Sequence, residues 1–129
     1  MDVGGRSELH YAALRNDVPS AAARLADGDD PNASDDEGST PLHFAAQEQA
    51  VEVARLLLDH GAEVDPQNAH GNTPLFTAVF NSQGDGSVIR LLRERGADPQ
   101  RANLSGQTPV GLARLIANHD AARFFTDLA

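Results

Sequence analysis

The chain has no cysteine, no tryptophan and no lysine. Without cysteine it forms no disulfide and offers no thiol nucleophile or thiolate metal site, and it suits a reducing compartment. Without lysine it builds neither a Schiff base nor a Walker phosphate loop. All ten cationic side chains are therefore arginine, a usage that, with abundant Ala, Gly and Asp, resembles the codon bias of a GC-rich bacterial genome. Aromatic residues make up only 5% of the chain. Its core must be thin and assembled from small side chains that let backbones approach closely. No apolar run nears the roughly 20 residues that span a bilayer. Residues 1–17 lack the basic stretch and apolar run of a secretory signal. A soluble, cytoplasmic protein is the expectation.

What is present bounds the rest. The 129 residues suit a single domain covering 1–129. The formal charge of −9 repels nucleic acid and anionic membranes and attracts a basic surface.

The sequence repeats itself. Thr40-Pro41-Leu42-His43 returns as Thr73-Pro74-Leu75-Phe76 and as Thr108-Pro109-Val110-Gly111, with Ser7-Glu8-Leu9-His10 one period earlier. Gly28, Gly61 and Gly96 each precede the next Thr by 12 residues. Gly5, Gly38, Gly71 and Gly106 each lie two residues before the Ser or Thr. Three markers in phase, with a unit of 33 residues and a T-P-L-H-x-A signature, resemble the ankyrin-repeat family. The resemblance implies an all-α solenoid of four helix-turn-helix repeats joined by β-hairpin-like fingers, at approximately 5–37, 38–70, 71–105 and 106–129.

The residues also make sense one by one. Thr40 caps a helix and Pro41 occupies its first turn, where a missing N–H is harmless. Leu42, Ala45 and Ala46 form one apolar stripe, and Val53, Leu56 and Leu57 a second at helical spacing. Gly61 ends the second helix. Neither helix buries its face alone, so the repeats must stack. The outer repeats are expected to act as caps: Arg24 falls where Leu57 and Leu92 stand, and Phe124 and Phe125 take the places of Leu56 and Leu57 in the last copy. Repeat 3 carries a two-residue insertion around 82–87, between its helices. This loop is either functional or a tolerated surface change.

The family resemblance implies that a protein partner binds a concave face of finger tips and first helices. Mapped onto this sequence, the candidate contacts are Asp36, Glu37, Gln47, Glu48, His70, Asn72, Phe80, Asn81 and Leu104. Phe80 reads either as an anchor at a usually polar position or as packing against the inserted loop. Leu115 and Ile116 occupy equivalent places but are expected to pack inside the end repeat. The first finger clusters Asp29, Asp30, Asp35, Asp36 and Glu37, which is either a docking site for a basic surface or a solvated loop. A calcium loop starting at Asp27 would put Pro31 fifth and Asn32 in the glycine place, which departs from the motif.

The family's signature histidine is structural, and His10 and His43 stand in its place. His60 suits a helix C-terminus. His70 lies at a finger tip and His119 in the last inter-helix turn. No histidine pair has zinc spacing, and no nucleophile elbow or held acid–base pair appears. No enzyme, cofactor or metal is expected. The leading expectation is a monomeric protein-binding module, in a sharper form an immunity protein that inhibits a basic bacterial toxin domain. The alternatives are an adaptor or chaperone-like subunit of a cytoplasmic enzyme and a self-associating structural solenoid.

Overall fold

Every repeat starts its first helix with one device. The hydroxyls of Ser7, Thr40, Thr73 and Thr108 accept the backbone N–H of the third helical residue, satisfying a donor the helix itself leaves open. Pro41, Pro74 and Pro109 fill the first turn in repeats 2 to 4. The computed structural model, which describes residues 3–116 and 121–128, thus places first helices at α1 (Glu8–Arg15), α3 (Pro41–Gln47), α5 (Pro74–Phe80) and α7 (Pro109–Leu115). His119 lies outside the described residues.

The second helices are α2 (Val18–Ala26), α4 (Val51–Asp59) and α6 (Ser87–Glu94). Just past the end of each, after the caps Asp27, His60 and Arg95, stands a left-handed glycine, Gly28, Gly61 or Gly96, at φ 91°, 95° and 93°. A side chain there would strain the backbone, so the glycine stops the helix.

Neither layer is stable alone, since helices of seven to nine residues are marginal in water. Stacking supplies the stability. First helices pack in the order α1, α3, α5, α7, and second helices α2, α4, α6 form a layer behind them. Alanines 13, 45, 46, 54 and 78 are fully buried between the layers, beside Leu9, Leu42, Leu57, Leu75, Ile89 and Leu92. No β-strand forms among the described residues. No helix among them is long and apolar enough to cross a membrane.

The fingers are built by turns. At each tip a glycine N–H donates to the carbonyl three residues back, from Gly38 to Asp35, Gly71 to Asn68 and Gly106 to Asn103. The side chain of that first residue then accepts two further backbone N–H groups, as Asn68 Oδ1 does from His70 and Asn72. Such local bonding is why Asp, Asn and Gly stand there. Successive fingers are tied by single backbone bonds, Asp36 N–H to Gly4, Ala69 N–H to Glu37 and Leu104 N–H to His70.

The two ends differ from the interior. Arg24 is half-exposed and gives a bidentate pair to Asp29 at 2.9 and 3.1 Å, as a position bordering solvent allows. Repeat 4 departs from its expected second α-helix: residues Ala121–Phe125 form a 3-10 helix. This short segment packs against α7. Phe125 is still buried at the Leu57 place, while Phe124 lies half-buried against Gly86.

Candidate functional site

The finger tips and the outward sides of α1, α3, α5 and α7 make one continuous strip of surface. Its floor is held by the signature histidines. In His10 and His43, Nδ1 accepts the backbone N–H of Ser7 and Thr40 at 3.0 and 3.1 Å. That fixes the neutral tautomer with the proton on Nε2. His10 Nε2–H then donates to the carbonyl of Ser39, and His43 Nε2–H to that of Asn72, each at 2.8 Å. Both bonds reach the base of the next finger, so each histidine couples two repeats. Burial pushes the His43 pKa down, partly offset by the bond to Asn72. His60 plays the helix-end role, its Nδ1 donating to the Leu56 carbonyl.

The acidic finger divides on inspection. Asp29 is paired with Arg24, and the hydrogen bond from that guanidinium holds its carboxyl below the usual range. Asp30 accepts the N–H of Asn32. Asp35 is buried, accepts the N–H groups of Glu37 and Ser39, and lies 3.7 Å from Arg6. Three of the five carboxylates thus serve the fold. Asp36 and Glu37 remain exposed at the tip, with Glu37 4.0 Å from the exposed His70 ring. No cluster of three metal-ligating side chains occurs among the described residues.

On the helices, Leu14, Gln47, Phe80 and Leu115 stand one repeat apart in a single row. Gln47 is exposed and bonds its neighbour Glu48. Phe80 is 61% exposed, so most of its ring is left uncovered. Leu115 is 72% exposed, against the expectation that it packs inside the end repeat, while Ile116 is half-buried. Helix α7 ends at Leu115, and the 3-10 segment behind it covers the opposite side, so nothing in the described chain reaches this side chain. Its register with Phe80 was the available signal.

Phe80 forms one wall of an open groove of about 150 Å³ with Asn72, Phe76, Thr77 and Asn81. Asn72 and Asn81 are half-buried and partly committed, Asn72 Oδ1 to Asn103 and Asn81 Nδ2 to the Thr77 carbonyl. Next to Asn103, Leu104 is 79% exposed at the third finger tip, with its Cγ against Gly71. The structure therefore brings together Asn72, Phe80 and Asn81, with Leu104 and Leu115 flanking, and sets Asp36, Glu37, His70, Gln47 and Glu48 on the preceding repeats.

The inserted loop faces elsewhere. Its Gly84 carbonyl accepts from Arg123, and Gly86 underlies the Phe124 ring. It ties repeat 3 to the C-terminal segment.

A family model described as ankyrin repeats, in three copies, matches residues 9–103. No curated protein matches the chain. The matched span ends before Thr108, yet α7 repeats the same Thr-Pro start and stacks on α5. Ankyrin repeats are protein–protein interaction modules, typically without catalytic activity.

Proposed function

The chain belongs to the ankyrin-repeat family, and on that premise we propose that it is a stoichiometric, non-catalytic binder that holds one protein partner against its finger tips and first helices. The observation that carries this reading is Phe80. A large ring left 61% exposed beside an open groove, at a place where repeat 2 has a glutamine, suits an interface anchor. The double variant Phe80→Ala with Glu37→Arg is expected to weaken binding of a partner recovered by pull-down. Thermal unfolding should stay within about ±0.5 kcal/mol, as both side chains are exposed. A large stability loss would return Phe80 to the core and sink the reading.

The sharper form of the proposal is an immunity protein that covers a basic toxin domain in a bacterial cytoplasm. The net charge of −9 supports it, since an acidic inhibitor attracts a protein whose own substrate is a polyanion. Expressing the neighbouring gene with and without this chain tests it. Toxicity that the chain relieves is the expected result, and a harmless neighbour would leave the adaptor reading in its place.

A further inference from the structure

We infer that the binding strip is divided along the solenoid, and that the partner it fits is a protein segment with a cationic stretch and an apolar anchor, the first over repeats 1 and 2 and the second over repeats 3 and 4. The inference rests on the reading of this strip as the binding face.

Charge makes the first half of the case. Residues 1–70 carry fourteen carboxylates against four arginines, whereas residues 71–129 carry five against six. The negative field belongs almost wholly to repeats 1 and 2. Within it Asp29 is paired with Arg24 and Asp35 is buried, Asp30 is exposed but bonds the Asn32 N–H, and the exposed carboxylates of the finger tip and α3 are Asp36, Glu37 and Glu48.

Apolar exposure makes the second half. Among the described residues the large hydrophobic side chains left exposed are Phe80, Leu104 and Leu115. All three lie in repeats 3 and 4, on first helices or a finger tip, in or beside the row that bounds the groove. At about 150 Å³ the groove matches a space that takes a benzene-sized group. Its lining of Phe76, Phe80 and the Thr77 side chain, with two amides, carries no charge. A cation placed there would lose water for nothing, and an apolar side chain would gain. The acidic half therefore governs encounter and the apolar half governs residence.

The test is selection of short random peptides displayed on phage against the full chain, followed by binding kinetics of the enriched peptides. Enriched peptides are expected to join a run of Arg or Lys to a Leu, Ile or Phe. Glu37→Arg with Glu48→Arg should slow association about tenfold at low salt and flatten its salt dependence. Phe80→Ser should speed dissociation about tenfold and leave association alone. Peptides that Phe80→Ser weakens, but that lack a cationic run or bind independently of salt, overturn the division and leave the binding face standing. Peptides that none of these substitutions weakens overturn the binding face itself. A selection that yields no binder overturns the division as well.

Discussion

His43 shows how one side chain carries both local and long-range order. It closes the cap on α3 through Nδ1 and ties to the next finger through Nε2. Protonation would turn Nδ1 into a donor facing the Thr40 N–H. The folded pKa is accordingly lowered, mainly by burial, below the unfolded value near 6.5. Below that pH the unfolded chain binds a proton that the folded chain refuses, so this contribution is present at pH 7 and is lost as pH falls. Urea unfolding should show stability declining from pH 7 to pH 5, by at most about 1.4 kcal/mol per pH unit for this group. His43→Ala should be less stable at pH 7 and show a shallower acid decline; an unchanged decline would reject the assignment. Asp65 offers the opposite sign. Its Oδ2 accepts the Asp98 N–H, its Oδ1 is buried without a partner, and burial raises its pKa. One repeat earlier, Asn32 accepts the Glu63 N–H and also donates to the Gly61 carbonyl. Asp65→Asn supplies the same donor toward the equivalent Gly96 and removes a charge. It should stabilise by about 1 kcal/mol at pH 7. The gain should shrink as pH falls through the carboxylate range, where Asp65 becomes neutral anyway. Thermal melts at pH 7 and pH 4 would check both the gain and its sign.

At the scale of elements, the helix starts and stops were legible because each has a local chemical cause. Thr-Pro opens a first helix and a left-handed glycine closes a second, whatever surrounds them. The 3-10 form of Ala121–Phe125 was not legible, because the Phe124-Phe125 pair matches the apolar stripe of the other second helices and carries no local signal for a tighter turn. Nor did the inserted loop announce its partner. Its value is that Gly86 lets the Phe124 ring approach: a Cβ there would lie 2.2 Å from two ring carbons. Arg90 and Arg123 flank the same ring at 4.9 and 4.8 Å, and Arg93 grips Asp127 at 2.7 Å. Gly86→Ala must push Phe124 out and should cost about 1–3 kcal/mol, as overpacking does. Hydrogen exchange should then quicken in α7 while α3 keeps its protection, since each repeat leans mainly on its neighbours. Uniform quickening, or none, would mean that Phe124 is not the lock.

For the whole molecule, charge and packing are arranged independently. The interior is nearly uniform from repeat to repeat, whereas the surface changes from acidic to apolar along the stack. Crowding fourteen carboxylates into residues 1–70 costs stability through self-repulsion. Adding sodium chloride from low ionic strength to about 0.15 M, where the screening length is about 8 Å, should raise the melting temperature. A fall would show that the ion pairs Arg24–Asp29, Arg93–Asp127 and Arg95–Asp59 outweigh the repulsion. Sequence alone determined the repeat, its phase, the caps and the stripes, because a solenoid repeats one local solution and each copy repeats its residues. It also picked out Phe80 and the first finger as candidates. Only the tertiary structure decided which charges are spent and which side chains are covered. Asp29, Asp30 and Asp35 look alike in a string beside Asp36 and Glu37, but Asp29 is paired with Arg24, Asp30 bonds the Asn32 N–H while staying exposed, and Asp35 alone is buried. Leu115 looks like a core residue until the helices stack and leave it mostly uncovered by the described residues. Exposure belongs to the contacts a residue makes, and those come from segments far away in the chain.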